Sequence, residues 1–177
     1  NPQIVINDIL DTSEEYISSL KNVFFLCVHA MIPIMLVVAL LIKLYDGGPV
    51  LYKQKRCTKD LKTFDIIKFR SMVVDAEKDG PQPAVDNDKR ITPVGKIIRS
   101  FRLDELPQLW NIFKGDMSFV GPRPERPEIE AEYTKELPEF AYRLDVPAGL
   151  SGYAQVYGKY NTTPYDKLLM DLMYISD

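Results

Sequence analysis

Histidine is nearly missing from this chain. Of 177 residues only His29 is one, so a Ser-His-Asp triad, a Cys-His pair and a two-histidine zinc helix are excluded unless His29 itself reaches a site. Cysteine is almost as scarce. Cys27 and Cys57 stand thirty residues apart in unlike surroundings, which supports neither a disulfide framework nor a zinc site of paired Cys-x-x-Cys steps, and a reducing compartment is expected. A formal net charge of −3 supplies no bulk positive charge for gripping nucleic acid, so nucleic acid is not an expected partner. Any catalysis must run on carboxylates, lysine, arginine, tyrosine or a bound metal. The remaining composition, 46% hydrophobic and 27% charged, suits one domain with a real core and excludes disorder or a collagen-like repeat.

Residues 23–42 form a run of twenty positions without a formal charge, bracketed by Lys21 and Lys43. As a helix rising ~1.5 Å per residue it reaches ~30 Å, the thickness of a bilayer's hydrocarbon core. Membrane insertion is therefore expected in preference to a buried helix of a soluble protein. A signal peptide fits poorly, because a mostly polar segment precedes the run and no small-residue cleavage site follows it. Pro33 near the middle has no N–H, so the carbonyl of His29 loses its helical partner where no water replaces it. A kinked helix or a re-entrant one returning to the same face is expected. From Lys43 to Arg70 eight basic residues meet three acidic ones, which places the downstream part in the cytoplasm and suits anionic lipid headgroups. The chain thus divides into a polar flank, 1–22, a membrane helix, 23–44, kinked or re-entrant, and a downstream domain, 45–177, where any catalysis would reside.

Beyond the membrane run, Asp46-Gly47-Gly48-Pro49 reads as a turn, and residues 50–52 and 63–69 as a short strand pair joined around Thr58-Lys59-Asp60. Residues 79–89, with Gly80, Pro81 and Pro83, read as a loop. Thr92 caps a helix starting at Pro93 and carrying Val94, Ile97, Ile98 and Phe101. Leu106, Leu109, Trp110 and Phe113 recur at i, i+3, i+4 and i+7 and mark a second helix ending at Lys114-Gly115. A strand at 117–120, an acidic helix at 127–137, a short strand holding Tyr153, Gln155 and Val156, and a helix with Leu168, Leu169, Leu172 and Met173 on one face complete the chain. The expected class is α/β: a small, mostly helical domain with short strands.

Asp104-Glu105 stands at the junction of two helices, with Pro107 two residues beyond Glu105. An aspartate there can be a plain N-cap satisfying free N–H groups at the positive end of a helix dipole. The same surroundings would keep a carboxylate ionised and attract phosphate, and adjacent carboxylates at a corner can point one toward phosphorus and one toward a metal. Arg99, Arg102, Asp116 and Arg123 lie nearby in sequence. Arg123, held between Pro122 and Pro124, has little backbone freedom, which suits bidentate capture of phosphate oxygens.

Four motifs in order, Ile66-Ile67-Lys68-Phe69-Arg70-Ser71-Met72, residues 95–111 with Arg99 and Arg102-Leu103-Asp104-Glu105-Leu106-Pro107, Lys114-Gly115-Asp116-Met117-Ser118-Phe119-Val120-Gly121-Pro122-Arg123-Pro124, and Gly149-Leu150-Ser151-Gly152-Tyr153-Ala154-Gln155-Val156, closely resemble the bacterial sugar transferase family. These are monotopic phosphoglycosyl transferases that start capsule, exopolysaccharide and glycan assembly. The resemblance implies magnesium-dependent transfer of a sugar 1-phosphate from a UDP-sugar to undecaprenyl phosphate, in two steps through an aspartyl-phosphosugar intermediate, at the cytoplasmic face of the bacterial membrane. It implies Asp104 as nucleophile and Glu105 as its partner, both at the magnesium ion. Arg70, Arg99, Arg123 and Lys68 are then the phosphate-binding residues, and Asp116 and Gln155 also line the site. It likewise implies a helix-breaking role for Pro33, interfacial helices, and contacts with membrane lipids and with a second copy of the chain as candidate partners.

The chain departs from the family where a common Ser-Pro is Ile32-Pro33, and where Arg-Pro-Gly and Asn-Gly-Arg are Pro147-Ala148-Gly149 and Tyr157-Gly158-Lys159. Tyr157-Gly158-Lys159-Tyr160 is more similar to members that handle glucose or galactose. The chain lacks a starting methionine and is expected to be part of a longer protein. A rival reading is a membrane-tethered module in which Asp104 only caps a helix and the arginines grip lipid phosphates.

Overall fold

The computed structural model describes residues 26, 28–78, 80, 85, 88–158 and 162–176. The polar flank, the first residues of the expected membrane helix, most of the loop at 79–89, and Lys159 and Tyr160 lie outside the described residues. The first helix, α1, covers Val28–Asp46 and is long and apolar enough to cross a membrane. It runs on through Pro33 rather than breaking there. Proline deletes one N–H but its φ is helical, so the hydrogen bonds on either side carry the helix through. A re-entrant path is not seen among the described residues.

One side of α1 has a partner and the rest does not. Val38 and Ile42, one helical turn apart, are buried against Phe69 and Ile98, with Leu103 and Leu106 packed on the same cluster. Leu36, Val37, Leu40, Leu41 and Leu44 are exposed. The inner side of α1 thus supports the very residues that bracket Asp104-Glu105.

Strands β1 (Leu51–Cys57) and β2 (Thr63–Phe69) form the expected antiparallel pair, in register from Leu51 opposite Phe69 to Cys57 opposite Thr63. The alternation of a strand puts Phe64, Ile66 and Lys68 of β2 on one face. Phe64 and Ile66 join a second core cluster with Met117 and Ala148, so Lys68 is aimed the same way. Thr92 caps α2 (Pro93–Ser100) as expected, its Oγ1 accepting from the Gly95 N–H at 2.8 Å. A 3-10 turn, Leu103–Glu105, leads to α3 (Gln108–Lys114).

The later part of the apolar spacing on helix α3 faces outward rather than into the core. Trp110 and Phe113 are exposed, whereas Gln108 and Asn111 are buried. The reason is the free edge of β2. Asn111 accepts from the Ile67 N–H at 3.0 Å and donates to the Asp65 carbonyl at 2.9 Å, so a side-chain amide replaces a third strand.

Strand β3 (Ser118–Val120) pairs in parallel with β4 (Gly149–Ser151). The stretch read as a strand at Tyr153, Gln155 and Val156 is instead the short helix α5, Tyr153–Tyr157. The strand ends at Gly152, where an added Cβ would lie 2.2 Å from the Gly121 carbonyl oxygen, and the Gly152 carbonyl accepts from the N–H groups of Gln155 and Val156. Helix α4 (Pro127–Glu136), a 3-10 run over Pro138–Asp145 and helix α6 (Pro164–Ser176) pack together beside this sheet. On α6 the buried residues are Leu168 and Asp171, while Leu169 and Met173 are exposed.

Candidate active site

Asp104 and Glu105 occupy the short turn between α2 and α3, and Arg102 at its start adopts a left-handed conformation, φ 56°. A non-glycine residue in that region carries strain of about 1 kcal/mol or more, which turns the chain sharply enough to end α2 and present the two acids together. No side-chain cap bond forms at this turn or at the start of α3. The N-cap positions fall at Arg102 and Pro107, so Asp104 occupies neither.

Glu105 is the centre of an ion cluster. Its Oε1 accepts from Lys68 Nζ at 3.0 Å and from Arg123 at 3.2 Å. Burial pushes the Glu105 carboxyl up, but Lys68 and Arg123 outweigh it and hold the group below its ordinary value. Asp104 goes the other way. Burial raises it, Glu105 beside it raises it further, and Lys68 and Arg99 offset this only in part. Lys68 is itself pushed down by burial and by Arg123, against the pull of Glu105. Neighbouring carboxylates with pKa values moved in opposite directions are the arrangement that gives two acids two tasks.

A cleft of about 340 Å³ opens beside the turn, lined by Arg102, Glu105, Leu106, Leu150, Ser151 and Gln155 among others. Gln155 donates to the Leu150 carbonyl at 3.1 Å, while its buried Oε1 has no partner among the described residues. The site thus brings together Asp104, Glu105, Lys68 and Arg123, sets Arg99 within electrostatic reach of Asp104, and places Gln155 on the wall. Arg102, within the motif but given no role from it, lines the cleft as well.

Two expected site residues are elsewhere. Arg70 is buried and spends its guanidinium on Asp46, at 2.7 and 2.5 Å, and on the carbonyls of Pro49 and Met72. It clamps the end of α1 to the hairpin, so its donors are not offered to a substrate. Asp116 accepts from Asn111 and Lys114, both at 2.9 Å, and so secures the amide that covers the β2 edge. Both departures arise from partners, Asp46 and Asn111, that the motifs do not reveal.

For a metal, the donor set is Asp104 with Glu105. No cluster of three or more histidine, cysteine or acidic residues exists among the described residues. A pair of carboxylates is a set that magnesium can use, since it takes one or two protein carboxylates and fills its remaining positions with substrate phosphate and water. Both cations on Glu105 address Oε1.

The sequence profile of the bacterial sugar transferases matches residues 15–177. The chain belongs to that family. Among curated relatives, it is 46% identical to the UDP-N-acetylgalactosamine-undecaprenyl-phosphate N-acetylgalactosaminephosphotransferase of Aeromonas hydrophila, over 82% of this chain and 35% of that protein. It is 48% identical to a putative undecaprenyl-phosphate N-acetylgalactosaminyl 1-phosphate transferase of Bacillus subtilis, over 64% of this chain and 63% of that protein. It is 44% identical to the UDP-glucose:undecaprenyl-phosphate glucose-1-phosphate transferase of Caulobacter vibrioides, over 71% and 47%. The chain thus spans from about a third to just under two thirds of these relatives' lengths. Within this bacterial sugar transferase, the turn carrying Asp104 and Glu105 lies inside the matched region.

Proposed function

We propose that this chain transfers a sugar 1-phosphate from a UDP-sugar to undecaprenyl phosphate, releasing UMP, as the first step of capsule or exopolysaccharide assembly. The observation that carries the reading is the pair of unlike carboxylates on one turn, with Glu105 gripped by Lys68 and Arg123. In the first step an oxygen of ionised Asp104 attacks the sugar-bearing phosphorus, the bond from that phosphorus to the bridging oxygen breaks, and UMP leaves with the electron pair. In the second, an oxygen of undecaprenyl phosphate attacks the same phosphorus and Asp104 returns as a free carboxylate. Lys68, Arg123 and Arg99 supply the positive field for phosphate oxygens, and Gln155 offers an acceptor to the substrate at the wall. Asp104 and Glu105 would hold magnesium, whose charge would offset that of the diphosphate.

The acceptor is a lipid, and the protein's placement at the cytoplasmic face of the membrane belongs to the same proposal. Support comes from the exposed apolar side of α1 and from Ile97, Phe101, Trp110 and Phe113, exposed in and beside the helices that flank the Asp104 turn.

The test is UMP release by the purified protein in lipid nanodiscs, with undecaprenyl phosphate, magnesium and a panel of UDP-N-acetylgalactosamine, UDP-glucose and UDP-galactose. One sugar nucleotide should be consumed only when all components are present. Asp104→Asn should lower turnover by more than about a thousandfold with the melting temperature nearly unchanged. No UMP from any sugar, with undecaprenyl phosphate still bound, would establish the lipid-phosphate module instead.

A further inference from the structure

Arg123 lies between two prolines, neither of which has an N–H to fix the segment. The structure fixes it through the other set of backbone groups. Four successive carbonyls are each held: Pro122 by the Gly149 N–H at 2.9 Å, Arg123 by Arg143 at 2.9 Å, Pro124 by Arg56 at 3.0 Å, and Glu125 by the Cys57 N–H at 2.9 Å. The side chain of Arg123 is 41% exposed and pairs with Glu105 at 3.2 Å. A long side chain so placed owes its aim to the backbone beneath it.

The donor to the Arg123 carbonyl is in turn held from three sides. Arg143 is buried, its Nε donates to Asp171 of α6 at 2.6 Å, Glu130 of α4 lies 3.7 Å away, and its guanidinium sits 4.4 Å over the Phe140 ring. One planar fork thus binds α6 through Nε and the Arg123 carbonyl through a terminal nitrogen. A lysine would present one ammonium point and could not serve both in this geometry.

We infer that Arg143 is a positioning residue, transmitting the rigid packing of α4, the 3-10 run and α6 to the Arg123 guanidinium by holding the Arg123 carbonyl. This rests on the proposed reading only in taking Arg123 to hold substrate phosphate. Arg143 touches no reacting atom, so its effect should exist only while Arg123 is present.

The experiment is a double-mutant cycle on UDP binding, measured calorimetrically with magnesium on the full chain in nanodiscs. Arg123→Gln should weaken UDP by about tenfold, the loss of one charge-assisted hydrogen bond. Arg143→Lys should weaken it about fivefold or more, and should add nothing in the Arg123→Gln background. An unchanged affinity in Arg143→Lys, or the same fivefold loss with and without Arg123, would overturn the inference. If UDP binds the unaltered protein but Arg123→Gln has no effect, the phosphate role of Arg123 falls instead.

A second readout does not depend on any ligand. The Arg123 Nε–H signal in nitrogen-15 spectra should be distinct in the unaltered protein and collapse toward the exchange-averaged arginine position in Arg143→Lys. A signal that stays put overturns the inference. Should Arg143→Lys not fold, Asp171→Asn, which keeps Arg143 but loosens its anchor, should move the signal the same way by a smaller amount.

Discussion

Two of the three-membered charge clusters among the described residues are of opposite design. At Glu105 two cations, Lys68 and Arg123, converge on one carboxylate, and the three side chains are 19%, 41% and 12% exposed. At Arg143 two carboxylates, Glu130 and Asp171, converge on one cation, and none of the three exceeds 3%. The first keeps surplus positive charge beside an open cleft, which is what a phosphate ligand needs. The second is closed to solvent, has a surplus of carboxyl groups and meets the first at the Arg123 carbonyl. Cluster composition alone therefore does not mark a site. What sets the Glu105 cluster apart is its place beside the cleft and the adjoining Asp104.

That contrast is broken most severely at its buried member. Arg143→Ala leaves Glu130 and Asp171 without a counter-charge, strips the donor from the Arg123 carbonyl and opens a void over Phe140. Removing one partner of a buried ionic group commonly destabilises by about 3–5 kcal/mol. Thermal unfolding at pH 8 should show a loss on that scale. A change below about 1 kcal/mol would mean that the cluster is dispensable to folding.

The open cluster should respond in the reverse manner. Lys68→Met removes a partly desolvated charge but leaves Arg123 on Glu105, so stability should change little. Phosphate binding should suffer, with kcat/KM for the UDP-sugar falling by about tenfold to a hundredfold, the worth of a hydrogen bond from a charged group. A large drop in melting temperature with unchanged kinetics would assign Lys68 to the scaffold and erase the difference between the clusters.

The sequence discloses this contrast unevenly. The Thr92-Pro93 helix start was legible because a cap is local chemistry, and the β1–β2 pair because its alternation and turn are contiguous. Lys68 was reachable from its motif, since strand alternation carries it to the Phe64 face. Arg70, two residues on, resembles it in every local respect, yet its partner Asp46 lies 24 residues away at the end of α1. The spacing of Leu106, Leu109, Trp110 and Phe113 correctly signals a helix but not its orientation, because the need of the β2 edge for Asn111 overrides the apolar stripe. Tyr153 to Val156 was too short for alternation to be decisive. Arg143 lies beyond the acidic helix read at 127–137 with no local mark of burial, and the folding of α6 back over it brings Asp171 into contact.

The finest distinction between the clusters is their response to pH. Burial pushes the Glu130 carboxyl from 4.5 up to about 7, with Glu125 and Asp171 adding to the rise and Arg143 opposing it. The folded protein then binds the Glu130 proton more tightly than the unfolded chain does. Its contribution to stability is complete below about pH 4.5 and is lost as pH climbs through about 7. Glu105 has the opposite sign: its folded carboxyl is lowered, so its contribution is present at neutral pH and lost on acidification. Glu130→Gln mimics the protonated form at every pH. The unaltered protein should lose about five degrees of melting temperature between pH 5 and pH 8 through this group, and Glu130→Gln should flatten that decline while matching the unaltered protein at pH 5. Asp171, also raised by burial, leaves a residual slope in both. Equal slopes in the two proteins would show that Glu130 stays ionised beside Arg143, which would make the buried cluster a plain ion triad rather than a proton-holding one.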